Sequence, residues 1–158
     1  MKDSTHQTIF FKRKPHIIGS YSIVGPKEGM GVLKNYFDYI MKDDLFGEKT
    51  YEKAERKMVE QAVMGAVSNA KITPKDLQLF ISGDLLNQII TSSFAARAFD
   101  IPYVGLFGAC STMAESLAVG ASLVNAGYFD RIATATASHF STAERQFRYP
   151  LELGNQRP

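Results

Sequence analysis

Several things are scarce in this 158-residue chain, and each scarcity removes a class of function. There is one cysteine, Cys110, which excludes an internal disulfide framework or a multi-cysteine metal site and fits a reducing compartment such as the cytosol. The three histidines, His6, His16 and His139, are too scattered for a zinc-ligand spacing, so no metal centre is expected. A net charge of +2 is too small to point to nucleic acid, and the basic triplet at 12–14 reads as a solvated tail. The first residues, M-K-D-S-T-H-Q-T, lack the apolar core of a signal peptide, and no apolar run reaches the length of a transmembrane helix. Internal repeats and low-complexity stretches are absent as well.

What is present is the material of one globular domain. The apolar share of 45% against 22% charged is enough for a real core at this length. Residues 16–24 are β-rich and run into Gly25-Pro26, which predicts a strand and a turn. Residues 30–43 mix apolar and charged side chains and read as a short helix or an ordered loop. Residues 51–70 form the clearest helix, with Ala54, Met58, Ala62, Val63, Ala66, Val67 and Ala70 inward and Glu52, Glu55, Arg56, Lys57 and Glu60 outward. A buried strand at 77–82, a helix at 86–99, a strand from 102 to Cys110, a helix at 111–126 and a strand at 131–139 follow. That alternation argues for βαβ units and a mostly parallel sheet with helices on both faces. The alternating Ala and Thr of the last strand suggest neighbours on both of its faces. Residues 140–158, dense in Arg, Gln and aromatics, read as a loop at the carboxyl ends of the strands, the rim where open α/β sheets bind ligands.

The organising stretch is 103–126, Y-V-G-L-F-G-A-C-S-T-M-A-E-S-L-A-V-G-A-S-L-V-N-A. It sets a lone thiol at a strand-to-helix joint, where unpartnered N–H groups and the helix dipole favour a thiolate or a bound carboxylate. The helix behind it is apolar or small nearly all round, which belongs in an interior. One sheet of this size cannot wrap it, so the chain reads as half of a larger unit.

The strings G-D-L-L-N-Q (83–88), F-G-A-C-S-T (107–112) and S-H…T-A-E-R-Q-F-R-Y-P (138–150) carry a resemblance, and G-P-K-E (25–28) and A-E-R (54–56) fit it. Together they resemble the stage V sporulation protein AD family of spore-forming bacteria, within the thiolase-like superfamily. In that superfamily a cysteine caps a buried helix in the first of two duplicated halves. The resemblance therefore implies that residues 1–158 are an N-terminal thiolase-like half-domain, α/β in class, without the second half. It also implies a protein that binds dipicolinic acid (pyridine-2,6-dicarboxylate) and assists its passage into the developing spore. Such a protein works beside other stage V sporulation A membrane proteins, peripherally on the cytoplasmic face of the forespore or spore inner membrane. A homodimer, or pairing with a second thiolase-like half, is the expected assembly. No cofactor is implied, with Ca²⁺ as an optional companion of dipicolinate. The alternative is an acyltransferase of the thiolase or ketoacyl-synthase kind using Cys110 as nucleophile.

Three readings of Cys110 stay open at this level. It can be an inert buried thiol. It can be a nucleophile, which needs a base in reach; condensing enzymes of this fold take theirs from the second half, leaving His139 as the candidate here. As the working expectation, Cys110 and Ser111 line a ligand pocket in which backbone N–H groups and the Ser111 hydroxyl receive one carboxylate. Arg145 and Arg148 are candidates for the second carboxylate, because a guanidinium donates two parallel bonds, although they can equally brace the loop. Asp84 can hold a cation or orient a ligand donor, or simply cap the following helix. His139 can line the pocket or be a satisfied strand-end histidine. Asn87 is a weaker candidate, and Glu144 can simply pair with an arginine.

Overall fold

A computed structural model describes residues 8–86 and 89–147, with the backbone alone for 145–147. Among the described residues, five strands and four α-helices follow in the order β1 (Ile23–Val24), β2 (Tyr39–Ile40), α1 (Tyr51–Asn69), β3 (Leu79–Asp84), α2 (Ile90–Ala96), β4 (Tyr103–Gly105), α3 (Thr112–Ala126), β5 (Ile132–Ala137) and α4 (Phe140–Phe147). Strands β4, β3 and β5 make a parallel sheet with β3 in the middle, and β1 and β2 make a separate parallel pair.

The period-two geometry of β3 divides the molecule. Phe80 packs with Val59, Val63 and Val67 of α1, Ala95 and Ala96 of α2, Leu77 and Ala135. Ser82 and Asp84, on the same side, bond to α2. Ile81 and Gly83 turn the other way and meet α3 at Gly120 and Thr112. All six residues of β3 are buried because both sides are covered, as parallel sheets require. Each large apolar side chain in this core contributes about 1.5–3 kcal/mol by leaving water.

Helix α1 starts where the extended Thr50 accepts the Lys53 N–H on its hydroxyl at 3.3 Å. Its buried stripe steps by four, Glu55, Val59, Val63 and Val67, beside Ala54. Of the expected inward set, Ala54, Val63 and Val67 are buried, whereas Met58, Ala62, Ala66 and Ala70 lie on the flanks. Glu55, expected outside, is 0% exposed. The stripe is rotated by one position because β5 and α4 approach this side of α1.

Other boundaries shift for local reasons. The predicted 86–99 helix shrinks to α2, since the Asp84 carboxylate captures the Leu86 N–H and Ile89 takes a left-handed φ of 48°. The strand expected to reach Cys110 pairs only through Gly105, because Ala109 turns the chain at φ 50°. The 16–24 strand pairs only at Ile23–Val24, and 30–43 resolves into a 3-10 turn, Lys34–Tyr36, and β2. The predicted rim loop begins as α4, and residues 148–158 lie outside the described residues.

Helix α3 reverses the usual polarity of a surface helix. Its buried stripe is Thr112, Ser116 and Gly120, small residues that let it close on the sheet; a Cβ on Gly83 would stand 2.6 Å from the Thr112 methyl. Its large apolar residues point outward, with Met113 50% and Leu117 39% exposed. It ends at Gly127, whose left-handed φ of 81° terminates it. Among the described residues, no helix is long and apolar enough to cross a membrane.

Candidate functional site

The carboxyl ends of β3, β4 and β5 converge on one edge. Register places Asp84 beside Ala137, two residues before His139. Gly83 has no room for a side chain, because the Leu106 carbonyl and the Thr112 methyl stand against it. This close approach brings the 106–112 segment to the end of β3.

Cys110 sits in the middle of a 3-10 turn, Ala109–Ser111, and is exposed. The inert buried thiol is therefore not what this structure shows. The left-handed Ala109 immediately before it costs of order 1 kcal/mol for a residue with a Cβ. Two amides of the expected cradle are spent within the turn: Ser111 N–H donates to the Gly108 carbonyl at 3.0 Å and Thr112 N–H to that of Ala109. Thr112 Oγ1 in turn accepts the Gly108 N–H at 3.1 Å.

Ser111 is also engaged. Its Oγ lies 2.6 Å from Glu115 Oε1 and 2.8 Å from the Gly108 carbonyl oxygen. A side chain at Gly108 would run into the same Glu115 carboxylate. The helix N-terminus expected to attract a ligand carboxylate thus already faces one from its own first turn. Sequence reasoning left Glu115 out, although its position four residues after Ser111 is the signal that places the two together.

Asp84 is 2% exposed, with Oδ1 accepting the Leu86 N–H at 2.9 Å and Oδ2 the Ser92 N–H at 2.7 Å. The first bond closes a turn just after β3, and the second ties the end of β3 to the first turn of α2. His139 is 6% exposed, and the Ser141 N–H donates to its Nδ1 at 3.2 Å. Nε2 therefore carries the proton and donates to the Asp44 carbonyl at 2.7 Å. Tyr51 stacks on the ring at 5.0 Å. His139 is thus placed as a satisfied histidine at the end of a strand, one of the two readings its position offered. Among the described residues no hydrogen bond reaches the Cys110 thiol.

Arg145 lies on α4, its side chain outside the described part, and Arg148 and Asn87 lie outside the described residues. The structure thus brings Ser111 and Glu115 together beside Cys110 at the surface, while Asp84 and His139 are buried and bonded elsewhere at the same end of the sheet. Sequence reasoning also missed Glu55, a buried acid behind this edge whose carboxyl meets Thr142 at 2.6 Å.

Comparisons with known proteins agree with this architecture. A crystal structure of 3-oxoacyl-[acyl-carrier-protein] synthase III from Aquifex aeolicus VF5 superposes with a TM-score of 0.51 and 22% identity, over 55% of this chain and 30% of that one. The priming β-ketosynthase of the R1128 polyketide pathway gives 0.50 and 18%, over 57% and 30%. At such identities the likeness establishes the fold, which is thiolase-like. A curated relative, stage V sporulation protein AD of Bacillus subtilis (strain 168), is 42% identical over all 158 residues, and this chain spans 47% of that protein's length. With the family model for stage V sporulation protein AD matching residues 5–158, the chain belongs to that family.

Proposed function

We propose that this chain supplies the Cys110-bearing part of a sporulation protein that binds dipicolinic acid and assists its uptake into the developing spore. Family membership carries this reading. The exposed Cys110–Ser111 turn at the carboxyl edge of the sheet is where the ligand would enter. One carboxylate of the ligand takes the Ser111 hydroxyl in place of Glu115, and Arg145 and Arg148 serve the other. Because Glu115 brings negative charge to that spot, Ca²⁺ arriving with the dianion is the natural counter-charge. The protein acts peripherally at the cytoplasmic face of the inner membrane with other stage V sporulation A membrane proteins. The outward Met113 and Leu117 of α3 suit contact with a second thiolase-like half or a second copy.

Calorimetric titration of the full natural chain with dipicolinate, with and without Ca²⁺, tests this. Heat of binding that weakens in Ser111→Ala and Cys110→Ala is expected, with less need for Ca²⁺ in Glu115→Gln. No heat under either condition sinks the reading. The exposed thiol keeps one rival in view, an acyltransferase with Cys110 as nucleophile. That rival requires an acyl adduct on Cys110 after incubation with acyl-CoA, visible as added mass and absent in Cys110→Ala.

A further inference from the structure

Behind the rim lies an acid that the site chemistry above does not use. Glu55 on α1 is 0% exposed, with its Oε2 2.6 Å from Thr142 Oγ1. The same Oγ1 lies 2.8 Å from the His139 carbonyl oxygen. Glu55 Oε1 is buried with no hydrogen-bond partner among the described residues.

Counting protons leaves two states open, and burial decides between them, because the surface pair Ser111–Glu115 shows the same 2.6 and 2.8 Å contacts. A hydroxyl donates one proton and can accept others. If Glu55 is a carboxylate, Thr142 faces two acceptors with a single proton, and one of the two short contacts sets acceptor against acceptor. If Glu55 carries a proton on Oε2, that O–H donates to Thr142, Thr142 donates to the His139 carbonyl, and both contacts are hydrogen bonds. The unpartnered Oε1 agrees, since a neutral carbonyl oxygen costs far less to bury than a charged carboxylate oxygen.

We infer that Glu55 is a positioning residue held as the neutral acid, and that Glu55 O–H···Thr142 O–H···O=C His139 is a proton-dependent latch. It fixes the β5–α4 junction, and with it the helix that carries Arg145, against α1. The inference concerns the fold and needs no ligand, so it stands apart from the dipicolinate reading.

Burial, the strongest influence on this carboxyl, supports it. Burial pushes the Glu55 carboxyl up to about 7; the Thr142 hydroxyl pulls it down, the Asp84 carboxylate pushes it up, and the His139 amide pulls it down. The titratable groups acting on it are Asp84 on β3 and His139 after β5, with Tyr51 and Arg56 its neighbours along α1 and Glu144 on α4. Arg56 is turned to Glu60, at 3.3 Å. The His139 ring is turned to Asp44 and Ser141.

Two measurements on the full natural chain test the latch. In nuclear magnetic resonance with ¹³C-labelled glutamate carboxyl carbons, the resonance missing from Glu55→Gln should titrate with a midpoint of about 7. In hydrogen exchange, protection factors of the α4 amides should fall as pH rises from the ordinary 4.5 to about 7, then level off. Within that window the opened form releases the proton that the latched form keeps, and the fall is on the order of a hundredfold. Glu55→Gln keeps a neutral donor to Thr142 and should abolish the fall. Thr142→Val removes the link to the His139 carbonyl and should lower protection of the α4 amides at every pH. A midpoint in the ordinary carboxylate range, or an equal fall in Glu55→Gln, overturns the inference.

Discussion

Two carboxyl–hydroxyl pairs of equal length sit in opposite surroundings. Glu55 meets Thr142 at 2.6 Å in the interior, and Glu115 meets Ser111 at 2.6 Å at the surface beside Cys110. The first joins residues 87 positions apart, and the second joins residues four apart on one helical turn. Water solvates the outer carboxylate, so that pair adds little stability and acts mainly by setting a negative charge before a helix N-terminus. The inner carboxyl has no water to exchange with, so ionising it is costly and the bond ties distant elements together. Distance alone does not say what a polar contact does; burial decides.

The sharpest way to break this contrast is to truncate both acids. Glu55→Ala leaves a cavity and an orphaned Thr142 and should cost roughly 2–4 kcal/mol in urea unfolding. Glu115→Ala should stay within about 0.5 kcal/mol of wild type. Equal losses would mean that burial is not what separates the pairs.

Next in size is the pH effect. The Glu55 pKa is raised on folding, so its contribution is greatest at low pH and is lost as pH climbs from 4.5 to about 7. The total is at most roughly 3 kcal/mol, read as the difference between wild type and Glu55→Gln. That difference removes the opposite trend of Asp38, whose carboxyl is held low by hydrogen bonds from Ser22 and loses them on acidification.

Smaller again are the hydroxyl deletions. Thr142→Val should cost roughly 1–3 kcal/mol by stranding a buried carboxyl, against under about 0.5 kcal/mol for Ser111→Ala. The smallest effect is kinetic. Iodoacetamide should alkylate the exposed Cys110 in the native protein, and Glu115→Gln should speed this by about two- to threefold as a charge opposing the thiolate is removed. A native thiol that resists alkylation would contradict its exposure.

How much of this was legible beforehand differs by element. Helix α1 follows from its period, β3 from a short apolar run closed by Gly83-Asp84, and β5 from its alternating Ala and Thr. Helix α4 did not, since Thr142 and the residues around it are polar enough to pass for a loop until the Thr142 side chain is seen seated against α1. Cys110 and Ser111 were found at the turn expected of them, but the amides and hydroxyl assigned to a ligand proved to be used by Gly108, Ala109 and Glu115. Glu55 was readable in retrospect: it continues the stripe Val59, Val63, Val67 one turn toward the N-terminus. A rule that sends every glutamate outward hides that signal.

By itself, the sequence determined the α/β class, the parallel order of the central sheet, the strand-to-helix turn at Cys110 and the family strings. These depend on neighbours within a few positions along the chain, where spacing and steric preference act directly. Only the tertiary structure decided which carboxyl is buried, which ring nitrogens of His139 are spent, and that α3 turns Thr112, Ser116 and Gly120 inward and Met113 and Leu117 outward. Those outcomes rest on solvation and on contacts between residues far apart in the chain, such as Glu55 with Thr142 and Asp44 with His139. Local spacing carries no record of which distant atoms will displace the water.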